Sequence, residues 1–212
     1  TALYPGWPVV SQQCGQPNLV AGMDDEESIM PIRQGSIDGL CGVYSVMNAT
    51  EIVIGKFHYD PKLKHKASQR RVLYKNLIGY LAKHDLLEET LIWGFKDIDA
   101  KGGFIDIAIK SVKKYQNRKL RKQIAFDTDD VTLDQYWEKL TEHLSQPNTA
   151  VIICLTGRIK HWTCVREITP TALILSDSSG IRRIARDRCT IETESRDMYT
   201  LWPTLTYLLS VK

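Results

Sequence analysis

The chain changes character at Pro147, and that change constrains its fold more than any other feature. Beyond it, Ala150 to Leu155, Ile159 to Ile168, Ala172 to Asp177 and Ile181 to Ala185 are runs rich in β-branched and apolar residues. They are punctuated by Thr156-Gly157, Thr169-Pro170-Thr171 and Ser178-Ser179-Gly180. Connections this short join antiparallel strands, because a parallel crossover needs a dozen residues or more. Before Pro147 the apolar spacing is helical. Val43, Val46, Met47 and Ile54 recur at helical steps from Cys41, with Gly55 as a stop signal. Ser68 to Leu86 and Phe104 to Tyr115 are amphipathic, and Thr132 to Gln135 fits a capping box opening a helix through about Ser145. Lys122 to Asp127 suits a short strand, and Met198 to Leu209 suits a further strand or short helix. Helices first and an antiparallel sheet second make an α+β fold.

The 212 residues suffice for one well-buried core, and a single domain over 1–212 is expected. It comprises an irregular N-terminal arm (1–33), a mainly helical part (34–146) and the sheet part (147–212). The arm holds four of the eight prolines and the acidic cluster Asp24-Asp25-Glu26-Glu27. Neither a membrane-spanning run nor a signal core is visible, so no membrane role is expected. Five cysteines (Cys14, Cys41, Cys154, Cys164, Cys189) without a Cys-x-x-Cys pair favour a reducing compartment. That means the cytoplasm or, after secretion, a host cytoplasm. Cys154 and Cys164 would face each other across a hairpin turning near Gly157 to Lys160, which permits a bridge if the protein is exported. His58, His65, His84 and His143 join no cysteine or carboxylate cluster, and no phosphate-binding glycine pattern occurs. No metal or cofactor is expected.

Cys41 stands at a predicted helix start, where unpaired N–H groups and the macrodipole favour the attacking thiolate. Gly39 and Gly42 flank it with little bulk, leaving room for a substrate backbone. If the strands 159–168 and 172–177 form a hairpin around Thr169-Pro170, residues whose numbers sum to about 338 lie opposite one another. His161 and Asp177 then face each other at about 5 Å between Cβ atoms. Asp177 would orient the imidazole while its other nitrogen faces Cys41. Trp162, on the other side of the strand, belongs to the core. Taken alone, each residue has a plainer explanation: a small buried thiol, a strand histidine, an Asp-Ser-Ser-Gly turn.

Cysteine, histidine and aspartate in that order, with Gln34 before the cysteine, resemble the papain-like cysteine peptidase superfamily. Within it the chain is most like bacterial double-glycine leader peptidase-like domains, over roughly residues 30 to 180. The resemblance implies a papain-like fold with the nucleophile on an N-terminal helix, and a catalytic set of Cys41, His161 and Asp177. It also implies Gln34 as oxyanion donor, such donors being worth roughly 3 kcal/mol each. Gln34 precedes Cys41 by seven residues, one more than is usual there, and the extra residue brings Asp38 close to the nucleophile.

The expected function is a thiol hydrolase cleaving a peptide or isopeptide bond of a protein or peptide substrate through an acyl-enzyme. A glutamine deamidase or transglutaminase would use the same triad. The third alternative is a binding module built on a basic face. Lys110, Lys113, Lys114, Arg118, Lys119, Arg121 and Lys122 form a run without an acidic residue that fits an acidic partner. Nucleic acid is not favoured, since the net charge is only +3.

Overall fold

The apolar spacing that begins at Cys41 does form a helix, α1 (Cys41–Ile54), and it is buried on nearly every side rather than along one face. Twelve of its fourteen residues are buried. The computed structural model describes residues 31–33, 39–55, 57, 68–94, 98–99, 102–191 and 196–211. Gly55 ends α1 at φ 78°, in the left-handed region that favours glycine. The Arg118 guanidinium donates to the Ile54 carbonyl at 2.9 Å, a cation at the negative end of the helix.

Two longer helices pack on α1. In α2 (Gln69–Lys83), Leu73, Leu77 and Leu81 form a buried stripe at four-residue intervals, and the Ser68 hydroxyl caps the start by accepting from Arg71 N. In α4 (Phe104–Gln116) the buried side is Phe104, Ile105, Ala108 and Val112. Between them lies α3 (Leu87–Trp93), a two-turn helix without a side-chain cap. Helix α5 (Leu133–Leu144) begins with the expected capping box. Thr132 Oγ1 accepts from Gln135 N at 3.2 Å, and Gln135 Oε1 accepts from Thr132 N at 2.8 Å.

The sheet comprises β1 (Leu120–Ile124), β2 (Thr149–Gly157), β3 (His161–Thr169), β4 (Ala172–Ser176), β5 (Arg183–Ala185), β6 (Cys189–Thr190), β7 (Tyr199–Leu201) and β8 (Tyr207–Val211). Its main path is β1-β8-β2-β3-β4-β5, antiparallel throughout. β7 pairs antiparallel with β2, and the short β6 lies parallel to β7. The mixed helix-and-sheet arrangement agrees with the α+β expectation. The first strand lies earlier than the expected Lys122 to Asp127, and the C-terminal segment supplies both β7 and β8.

Alternation along the strands feeds two cores. Ile152, Cys154, Trp162, Cys164 and Leu209 pack with α1, α2 and α4. Val151, Ile153, Leu155, Val165, Leu173 and Leu175 pack with Tyr136, Trp137 and Leu140 of α5. The β2–β3 register pairs Cys154 with Trp162 and Ile152 with Cys164, so the two cysteines are not opposed as expected. Both are free.

The β3–β4 hairpin departs from the expected register in an instructive way. Its turn is Pro170-Thr171, with Thr169 opposite Ala172, Ile168 opposite Leu173 and Glu167 opposite Ile174. Continued unchanged, that register would set Asp177 opposite Cys164 and on the other side of the sheet from His161. A β-bulge between Val165 and Glu167 intervenes, so that Val165 faces Leu175 and Cys164 faces Ser176. The extra residue, Arg166, is exposed. One step further, Asp177 falls level with Thr163, on the same side as His161 and diagonal to it rather than directly opposite. The expected pairing was off by two residues, an even number, and so kept the side while missing the bulge that secures it.

Candidate active site

Three element ends meet here. Cys41 is the first residue of α1, His161 the first of β3, and Asp177 immediately follows β4. In an antiparallel pair the start of β3 and the end of β4 lie at the same end of the ladder. His161 Nε2 and Asp177 Oδ2 are 2.5 Å apart. The Cys41 thiol donates to Gly39 O at 3.9 Å and lies near enough to the imidazole to raise its proton affinity. All three residues are buried, Asp177 most deeply at 2 % exposure.

Asp177 explains its own ionisation. Burial would raise its pKa, but the His161 hydrogen bond and charge outweigh that and hold the carboxyl below its ordinary value. Oδ1 accepts from the backbone N–H of Ser179 at 2.8 Å and of Ile181 at 3.0 Å. The turn explanation and the site explanation of this residue are therefore both correct, one for each oxygen. The Thr163 hydroxyl also favours the charged form, through a contact that falls short of hydrogen-bond geometry.

For His161, burial alone would lower the pKa. The Asp177 hydrogen bond and the charges of Asp177 and Cys41 together overcome it and raise the imidazole to about 10. A protonated imidazole between a thiol and a carboxylate is the arrangement that supports a thiolate. No side chain of the N-cap residue Leu40 accepts from the first turn of α1, and that turn holds no acidic residue. The N–H groups of a first helical turn are the ones that an anion can use.

The two glycines serve packing instead of substrate approach, which corrects the expectation. A Cβ on Gly39 would stand 2.2 Å from the Thr90 carbonyl oxygen and 2.8 Å from Gly94 N. On Gly42 it would meet Ile98 at 3.0 Å, with Phe104 and Trp162 at 3.6 Å. Gly39 N donates to Leu91 O at 2.9 Å, so the unexpected α3 braces the residues just before the nucleophile. Gln34 and Asp38 lie outside the described residues, as do the Asp24–Glu27 cluster and Cys14.

Asn48 carries no sequence signal beyond its place seven residues after Cys41 on the same side of α1. Its Oδ1 accepts from Ile32 N at 2.8 Å, and its Nδ2 donates to Ser176 O at 3.2 Å and Ile32 O at 3.4 Å.

The basic run is thinner than its sequence suggests. Lys122 pairs with Asp99 and with Asp106, the latter at 3.4 Å, and Arg118 caps α1. Lys110, Lys113, Lys114, Lys119 and Arg121 remain exposed. Among the described residues no group of His, Cys, Asp or Glu is arranged to hold a metal ion. No helix among them is long and apolar enough to cross a membrane. No known protein family matches the chain, and no curated protein is similar to it.

Proposed function

We propose that this chain is a thiol hydrolase of papain-like type, a cysteine peptidase acting on peptide or isopeptide bonds of a protein substrate. One observation carries the reading: the buried His161 imidazole, hydrogen-bonded to the Asp177 carboxylate at 2.5 Å, with the Cys41 thiol near enough to raise its proton affinity. The proposed steps follow from it. Cys41 Sγ attacks the carbonyl carbon, and the oxyanion forms against the backbone N–H groups that open α1, with Gln34 as the added donor implied by the resemblance. His161 passes its proton to the departing amine, leaving an acyl-enzyme. Water then attacks this thioester while His161 takes the proton back, and Cys41 is regenerated. Asp177 holds the imidazole's orientation and offsets its charge throughout. The four described cysteines are free, which suits a reducing compartment.

Two alkylating reagents test this without a known substrate. Iodoacetate and iodoacetamide react with a thiolate alike and differ by one negative charge, so an imidazolium beside the sulfur favours the anion. A unit charge pair about 4 Å apart in water is worth about 1 kcal/mol, or about a fivefold rate difference. Mass spectrometry should show the iodoacetate-to-iodoacetamide ratio at Cys41 falling about fivefold in His161→Ala. In the wild type the same ratio should decline as pH rises through about 10, where His161 loses its proton. A ratio identical in both proteins at every pH would sink the reading. Substrates come next: chain cleavage supports the peptidase, whereas a gain of about one mass unit on an intact chain identifies the glutamine deamidase.

A further inference from the structure

α1 carries four buried polar side chains after its first turn, and they divide into two kinds. Ser45 donates to Gly42 O at 2.9 Å and Thr50 to Val46 O at 2.6 Å, so both are satisfied within the helix. Asn48 and Glu51 reach out of it. Glu51 meets Arg70 of α2. Asn48 reaches the backbone on either side of α1, Ile32 and Ser176, and it is 2 % exposed.

Ser176 is the residue before Asp177. We propose that Asn48 is a positioning residue of the candidate site: its carboxamide fixes the end of β4, and so the Asp177 carboxylate, at a set distance along α1 from Cys41. Seven residues of helix make two turns and advance about 10 Å, returning Asn48 to the side of α1 that carries Cys41. Between Cys41 and Asp177 stands one imidazole, bonded to Asp177 through Nε2 and close to the Cys41 thiol. The strand ladder cannot set this distance, because β4 ends at Ser176 and its pairing to β3 reaches no further than Cys164 opposite Ser176. Nor can the Asp177 turn, whose Oδ1 bonds go to Ser179 and Ile181 in its own loop. The Asn48 Nδ2 bond to Ser176 O is a direct side-chain tie from the nucleophile helix to the end of β4. Its second task, accepting from Ile32 N, uses the oxygen of the same amide and fixes which way the group faces. An amide is required there, since the position needs a donor and an acceptor at once.

This inference rests on the thiol-hydrolase reading, and the experiment separates the two. The iodoacetate-to-iodoacetamide ratio at Cys41 is measured at pH 7 for the full chain, for Asn48→Ala and for Asn48→Leu. The leucine keeps bulk in an apolar setting and guards against a folding failure. Thr50→Val, a buried polar change on the same helix with no reach to β4, controls for lost stability. Thermal melts place every measurement well below unfolding. The expected result is a wild-type ratio that both Asn48 variants lower about fivefold, to the His161→Ala level, while Thr50→Val leaves it unchanged. Asn48 variants that melt earlier yet keep the wild-type ratio overturn the positioning role and leave the hydrolase reading intact. A wild-type ratio already equal to that of His161→Ala overturns both.

Discussion

Two carboxylates are buried to the same 2 % exposure in different regions of the molecule, Asp177 at the end of β4 and Glu51 within α1. Asp177 has partners on both oxygens, two backbone N–H groups on Oδ1 and an imidazole on Oδ2. Glu51 directs Oε1 to Arg70, whose side chain is 42 % exposed, and its Oε2 is buried without a partner among the described residues. On the proposed reading the contrast separates a charge placed for chemistry from one placed as an anchor. For Asp177 the direction of each lone pair then matters, because one oxygen is committed to the loop and the other sets the orientation of the imidazole. Glu51 needs only an attraction between two helices, and it tolerates an unfilled lone pair at some cost.

Asp177→Ala would break this comparison most completely. It removes the acceptor of the His161 imidazole together with the acceptor of the Ser179 and Ile181 N–H groups. Hydrolysis should fall about 10³-fold or more, the scale seen when a triad loses its orienting carboxylate. The Cys41 alkylation ratio should drop to that of His161→Ala, and circular dichroism should still show the sheet.

Asp177→Asn is a smaller disturbance of geometry with a comparable chemical effect. The amide oxygen can still accept from Ser179 and Ile181, but the imidazole loses its negative partner. Turnover of any substrate found should fall about 10³-fold, with a stability loss of about 1–3 kcal/mol in urea titration.

The pH dependence of stability sharpens the contrast further. His161 holds its proton more tightly folded than unfolded, so its contribution is complete below pH 6.5 and lost as pH rises through about 10. Asp177 holds its proton less tightly, so its contribution is complete above pH 3.8 and lost as pH falls below that. The melting-temperature gap between wild type and Asp177→Asn should therefore be widest between pH 3.8 and 6.5 and narrow toward pH 10.

Glu51→Gln should do least. Arg70 can turn to solvent and the amide keeps the shape, so urea titration should register a change within about 1 kcal/mol. The alkylation ratio should not move.

Much of this was legible in the sequence where one local rule governs. The α5 capping box, the Gly55 stop and the β-runs after Pro147 depend on short-range backbone chemistry, and the structure shows them. The shared side of His161 and Asp177 was also legible, although for an incomplete reason. Turn length and bulge position depend on how β3 packs across the sheet, and no pair of residues in the hairpin announces them. α3 escaped notice because two turns opening on Leu86, with no cap and little amphipathic length, leave no periodic signal. The roles of Gly39 and Gly42 invert on inspection because emptiness in a sequence does not say what fills the space. Lys122 and Arg118 likewise read as free charges until Asp99 and the end of α1 come near.

The bulge at Arg166 gives the hairpin one point of tolerance to the reading of its gene. Loss of that codon leaves Val165 opposite Leu175 and Cys164 opposite Ser176, so Asp177 still falls level with Thr163. A one-codon loss between His161 and Thr163 instead turns His161 to the other side of the sheet. A library of length variants should therefore recover losses at position 166 and none at position 162.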